Sequence, residues 1–173
     1  MAIDTRFARL ELALGLEAVR RLLRSTVAVV GIGGVGGIAV ETLVRSAVGH
    51  VILIDSDHFQ RTDINRQVFA LESTVGRPKV AVAADRLRDI HPGVRITAYE
   101  AFFEVETAER LLALQPDAVI DAIDTVPSKI ALIVYCHERG IPVISVMGAA
   151  LRTDYSRITV TDISRTSGCP LAR

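Results

Sequence analysis

The chain has 173 residues, half of them apolar, with 20 basic and 20 acidic side chains; this length predicts one domain whose core needs no staples. Zero formal charge argues against a general nucleic-acid magnet, and two cysteines, Cys136 and Cys169, are too few for a disulfide framework or a four-cysteine zinc site. The apolar runs fall short of the roughly 20 residues of a membrane span, and the charged Met1–Arg9 opening is no signal peptide, so the cytoplasm is the expected location and no membrane partner is expected.

Thr5 to Arg24 predicts a helix, with apolar positions three to four apart and Gly15 as a break. Val27 to Val30 predicts a short β-branched strand that runs into a glycine cluster. Val35 to Ala47 then predicts a helix ending near Gly49, and Val51 to Ile54 a second strand. Asp55 to Pro78 is the longest irregular segment, and long loops in compact α/β domains are often functional. A helix over Pro78 to Ile90 stops before Pro92. There follow a strand at Val94–Tyr99, a helix at Val105–Leu114, a strand at Ala118–Asp121 and a helix at Ser128–Arg139 closed by Gly140. Val143–Val146 predicts a strand and Ile158–Thr161 another. Strands apolar on both faces, alternating with helices, predict an α/β, Rossmann-like domain over residues 1–173, with a mostly parallel sheet and helices on both faces.

Gly31-Ile32-Gly33-Gly34-Val35-Gly36 fits G-x-G-x-x-G between a strand and a helix, the context in which that motif has meaning. Gly31, Gly33, Gly34 and Gly36 permit a tight turn and let backbone N–H groups approach phosphate oxygens, beside the positive end of the helix dipole. Asp55 ends the next strand, where a carboxylate can accept hydrogen bonds from a ribose. This pattern serves NAD and ATP alike, and by itself it favours NAD.

The segments that follow shift the reading to a triphosphate. Asp57, Asn65, Arg66 and Gln67 lie in the long loop. Lys79 follows Pro78 in the first turn of a helix, where the dipole disfavours a cation and an anion nearby is expected. Arg66 can bridge phosphates bidentately. Asp124 lies just past the carboxyl end of a strand, where open parallel sheets bind ligands, and one carboxylate with phosphate oxygens is a common Mg²⁺ arrangement. Capping of the next helix by Asp124 or Thr125 is the plainer alternative.

Taken together, Gly31–Gly36, Asp55-x-Asp57, Asn65-Arg66-Gln67, Pro78-Lys79 and Asp121-x-x-Asp124 resemble the adenylating domains related to ubiquitin-activating enzymes, whose bacterial members include MoeB and ThiF. Within that superfamily the resemblance is to the tRNA threonylcarbamoyladenosine dehydratases. It runs nearly end to end and includes Val75–Lys79, Val119–Asp124, Met147–Ala150, Val160–Thr166 and Cys169–Ala172. The resemblance implies a glycine loop on the phosphates, Asp55 on the ribose, and Asp57, Asn65, Arg66, Gln67 and Lys79 around the nucleotide. It also implies Mg²⁺ on Asp124 and a homodimer in which Arg9 reaches the neighbouring subunit's site; Arg9, Arg66, Lys79 and Asp124 are the implied catalytic residues. Two departures stand out. Asp63 replaces an Asn common in the family, and the family runs some tens of residues past Arg173, so a C-terminal extension is expected to be lacking.

The implied function is ATP-dependent cyclisation of threonylcarbamoyladenosine in tRNA to its hydantoin form through carboxylate adenylation, with tRNA as partner and a sulfur-transfer protein as a further one. The alternative is adenylation of a sulfur-carrier protein's C-terminal Gly-Gly, although paired Cys-x-x-Cys zinc ligands are absent. An NAD-dependent oxidoreductase is disfavoured because His50, His58, His91 and His137 match no hydride-transfer motif. A non-catalytic nucleotide-binding module is a fourth reading. Cys136 reads as a buried helix residue, Cys169 as incidental, and Arg20, Arg21 and Arg24 as a solvated face that could touch tRNA phosphates.

Overall fold

The computed structural model describes residues 4–148, 153–167 and 169–172; Ala149 and Ala150 of the Met147–Ala150 stretch, and Arg173, lie outside them. In chain order the elements are α1 (Ala8–Leu14), α2 (Leu16–Arg24), β1 (Thr26–Val30), α3 (Gly36–Arg45), β2 (His50–Asp55), α4 (Lys79–Ile90), β3 (Arg95–Glu100), α5 (Val105–Leu111), β4 (Ala118–Asp121), α6 (Val126–Glu138) and β5 (Val143–Ser145). All strand pairs are parallel, in the order β3-β2-β1-β4-β5. The chain starts in the middle of the sheet, winds outward through β2 and β3, then crosses back to β4. The carboxyl ends of β1 and β4 therefore flank the point where the winding reverses, which is where such sheets open a ligand crevice.

Strand periodicity decides which helices cover which face. Val27, Val29, Val51 and Leu53 point to one side, where Val40 and Val44 of α3 and Val80, Ala83 and Leu87 of α4 meet them. Ala28, Val30, Ile52 and Ile54 point to the other, against Leu111 of α5 and Leu132 and Cys136 of α6. Central strands β1 and β2 are buried on both faces, which is why they read as unbroken apolar runs. The N-terminal helices form a separate small cluster through Phe7, Val19 and Ala47. Gly15, at φ +82°, ends α1 and starts α2, the break expected there.

Gly49 lets the end of α2 touch the entry to β2. A Cβ on it would lie 1.9 Å from the Leu23 carbonyl oxygen. We expect Gly49→Ala to lower stability by about 3 kcal/mol, the upper end of ordinary overpacking, with nucleotide affinity unchanged at temperatures where the fold persists; urea denaturation beside a binding titration checks both.

The expected strand at Ile158–Thr161 does not form. Ile158 and Val160 are 75% and 99% exposed, and short 3₁₀ turns flank them at Tyr155–Arg157 and Ile163–Arg165. Asp154 and Asp162 hold those turns by accepting the N–H groups of Ser156 and Ser164. A β-branched run needs a neighbouring strand and a surface to pack on, and among the described residues it has neither.

Candidate active site

The glycine loop joins β1 to α3 at the reversal point. Gly31 has φ +90°, and a Cβ there would come within 2.6 Å of the Ala122 carbonyl oxygen. The loop is thus pressed against the segment that leaves β4. Val35, at the start of α3, makes no side-chain capping bond. Among the described residues the N–H groups of Gly33, Gly34 and Val35 donate to no other group of the chain, so an anion at this helix end would find donors already turned toward it.

Asp55, the last residue of β2, braces the loop. Its carboxylate accepts the Ile32 N–H at 2.6 Å and the Asp57 N–H at 2.8 Å. Burial pushes its pKa above the usual carboxylate range, against the lowering effect of those two N–H groups and of the Lys79 charge. A carboxyl whose folded pKa is raised stabilises the fold below its unfolded pKa and loses that contribution as pH rises through the folded value. At neutral pH the ionised Asp55 is therefore a cost to the fold, which suits a residue kept for a ligand. The wild-type chain should therefore lose stability as pH rises through the folded value, and Asp55→Asn, which removes the titration but turns an NH2 toward one of the two N–H donors, should lack that pH dependence. It should bind ATP roughly tenfold more weakly, since a hydrogen bond to a charged group is worth about 1.5–3 kcal/mol. Calorimetric melts across pH and a binding titration read both effects.

The long loop is closed at its base. Phe59 N–H donates to Arg77 O, Gly76 N–H to Phe59 O and Lys79 N–H to Asp57 O, and Phe59 and Phe69 anchor it in the core. This clasp brings Lys79 to Asp57 across 22 positions. The ammonium lies 2.8 Å from the Asp57 carboxylate, with the Lys79 side chain 8% exposed and that of Asp57 64% exposed. The anion expected beside Lys79 thus includes one from the chain itself. Pro78 is the cap of α4 rather than its first residue.

Within the loop, Asp63 is buried and accepts from the Gln60 N–H, from Arg66 Nη2 at 3.2 Å and from Gln67 Nε2 at 2.9 Å. Arg66 is exposed, and its Nη1 donates to Thr62 O and Asn65 Oδ1. Its backbone carbonyl would lie 3.3 Å from a Cβ on Gly34, so the arginine sits directly beside the glycine loop. Gln67 is buried against Gly33, with its Oε1 lacking a hydrogen-bond partner among the described residues. It is a support beneath the loop.

Asp124 is exposed just past β4 and makes no hydrogen bond or ion pair among the described residues. It does not cap α6, whose cap is Thr125 without a side-chain bond. Arg9 is exposed in the first turn of α1, also without such a contact among the described residues. A cleft of about 430 Å³ opens between the starts of α5 and α6, lined by Phe102, Glu104, Pro127, Ser128 and Ala131. Cys136 is fully buried, its thiol pushed up to about 11 by burial and the nearby Asp121 charge. Cys169, expected to be incidental, instead accepts the Gly148 N–H at 3.3 Å. A buried charge pair has no counterpart among the expected site residues: Lys129 meets Asp121 at 2.8 Å. The eight-residue spacing from strand end to helix carries no recognised signature.

No helix among the described residues is long and apolar enough to cross a membrane. A ThiF family model matches residues 6–172. A tRNA threonylcarbamoyladenosine dehydratase of Bacillus subtilis is 47% identical over 96% of this chain and 66% of its own length. The crystal structure of the Escherichia coli tRNA N6-threonylcarbamoyladenosine dehydratase in complex with ATP superposes with TM-score 0.95 at 37% identity, over 99% of this chain and 72% of that one. An E. coli molybdopterin-synthase adenylyltransferase is 35% identical over 84% of this chain and 56% of its own length. The chain thus spans a little under two thirds of the curated dehydratase it most resembles among these. With a family model matched over residues 6–172, and with the glycine loop, the Asp55 carboxylate and the buried Lys79 brought to one end of the sheet, the chain belongs to the ThiF family.

Proposed function

We propose that this domain binds ATP and adenylates a carboxylate, and that its substrate is the threonylcarbamoyl group of a modified adenosine in tRNA. The observation that carries the reading is Lys79: a nearly buried ammonium, close enough to Asp55 to lower its pKa. Asp55, read as the ribose acceptor, and a fixed cation thus lie together, which supports a triphosphate over a dinucleotide. The E. coli relative's complex with ATP supports the same ligand.

The glycine loop N–H groups would hold phosphate oxygens, Asp55 the ribose, and Lys79 with Arg66 the charge that develops on the leaving pyrophosphate. Arg66 is parked on Asp63, so it would exchange that contact for phosphate. Asn65 and Asp57 position these two cations, and Gln67 supports Gly33 from below. Asp124, exposed and without a partner among the described residues, would hold a Mg²⁺ ion, since one carboxylate beside phosphate groups suits that ion. When bound, that ion neutralises phosphate charge. A carboxylate oxygen of the substrate attacks the α-phosphorus and pyrophosphate leaves. A nitrogen of the same substituent then attacks the activated carbonyl carbon and AMP departs with the oxygen, so the ring closes with net loss of water. Catalysis here is positioning and electrostatics, with no covalent enzyme intermediate. Arg9 and the exposed Leu12 and Leu14 on α1 support a homodimer in which Arg9 completes a second copy's site.

Pyrophosphate release tests the reading, measured with threonylcarbamoylated tRNA, with a sulfur-carrier protein ending in Gly-Gly, and with neither. Release that depends on the modified tRNA is the expected result. Release that depends on the carrier protein would favour the second reading, which the similarity to the molybdopterin-synthase adenylyltransferase keeps in view.

A further inference from the structure

Lys129 takes no part in the function read above, yet it is 1% exposed and its partner Asp121 is 0% exposed. Burying both charges forfeits their hydration, and an apolar pair of the same volume is often as stable. Such a pair therefore calls for a positional explanation. All three ammonium protons have acceptors: Asp121 Oδ2 at 2.8 Å, Ser145 Oγ at 3.3 Å and Val146 O at 3.0 Å. Ser145 Oγ in turn donates to Asp121 Oδ2. The other carboxylate oxygen, Asp121 Oδ1, accepts the N–H of Ile123 at 3.0 Å. One lysine on α6 thus ties together the ends of β4 and β5 and, through Asp121, the residue next to Asp124.

Asp124 has no bond of its own among the described residues, so its direction is set by its backbone. On one side that backbone is held by Asp121 Oδ1 at Ile123. On the other, the Lys129 N–H donates to Thr125 O at 3.0 Å. Ala122, which abuts Gly31, is held separately by its N–H to Val30 O. Loss of the lysine side chain would leave the Asp121 carboxylate without its cation and free to turn, loosening its hold on the Ile123 N–H beside Asp124, while Ala122 and the glycine loop keep their own support.

We infer that Lys129 is a positioning residue that acts through Asp121 to aim Asp124 at the divalent cation of MgATP. The inference rests on the reading of Asp124 given above. Equilibrium titrations with MgATP and with metal-free AMP test it in the wild-type chain, Lys129→Met, Ser145→Ala, Asp124→Asn and Lys129→Met/Asp124→Asn. Lys129→Met should weaken MgATP about tenfold or more, the usual effect of removing an outer-shell partner of a metal ligand, with AMP affinity unchanged. Ser145→Ala should show a smaller effect in the same direction. In the Asp124→Asn background, Lys129→Met should add nothing. If Lys129→Met does not fold, the charge-neutral Asp121→Asn/Lys129→Met chain and Ser145→Ala provide the same comparison. Equal weakening of AMP and MgATP, or an undiminished Lys129→Met effect without Asp124, overturns the inference alone. Wild-type MgATP affinity in Asp124→Asn overturns the reading of Asp124 and the inference with it.

Discussion

Lys79→Ala is expected to cut acceptor-dependent pyrophosphate release by about 100- to 1,000-fold, the usual loss when one preorganised electrostatic donor is removed from an active site. The fold should hardly notice. The partner left behind, Asp57, has a side chain 64% exposed, so water replaces the lost ammonium and no buried charge is stranded. AMP affinity should fall far less than ATP affinity, because AMP lacks the phosphates that the ammonium would meet. Lys79→Arg should not rescue turnover. The side chain is 8% exposed, and a planar guanidinium cannot replace a compact ammonium in so closed a space. Steady-state release, with circular dichroism to confirm folding, decides the matter. Turnover above a third of wild type in Lys79→Ala would remove Lys79 from the chemistry.

Much of the frame was legible because it depends on local periodicity. The strand and helix alternation, the break at Gly15 and the strand–glycine–helix junction are near-neighbour patterns, and every predicted strand but one is present with ends shifted by a residue or so. Ile158–Thr161 failed for a non-local reason: its β-branched side chains have no neighbouring strand among the described residues. Distance along the chain likewise hid the side-chain partnerships at the site. Lys79 finds Asp57 because Phe59 and Phe69 anchor the loop between them, and nothing in the spacing says so. The resemblance places Gln67 around the nucleotide, and the same anchoring sets its amide against Gly33 with Nε2 on Asp63, a partnership its motif does not announce. The expectation of an anion beside Lys79 was sound in its physics, but it could not distinguish a ligand from Asp57. Lys129 and Asp121 look like one helix residue and one strand end until β5 brings Ser145 and Val146 against them.

Gly36→Ala is expected to abolish nucleotide binding and to lower stability by about 3 kcal/mol or more, at or beyond the top of the range for overpacking. Its Cβ would stand 1.7 Å from the Gly31 carbonyl oxygen and 2.9 Å from the carbonyl carbon, so the clash is with backbone that no rotamer change can relieve. Gly31 cannot retreat, because its own Cα already faces the Ala122 carbonyl across a gap that a methyl would reduce to 2.6 Å. The first turn of α3 would have to pull away from β1, and the donors of Gly33, Gly34 and Val35 would move with it. Gly33→Ala provides the complementary test. There a Cβ meets only the Gln67 amide, at 3.8 Å, so the fold should tolerate the methyl. Any loss of affinity must then come from the methyl occupying the space a phosphate would fill. Denaturation midpoints and ATP titrations on the two variants separate these causes. Wild-type ATP affinity in Gly33→Ala would mean that the loop is a tight turn with no phosphate in it, whatever Gly36→Ala does to the fold.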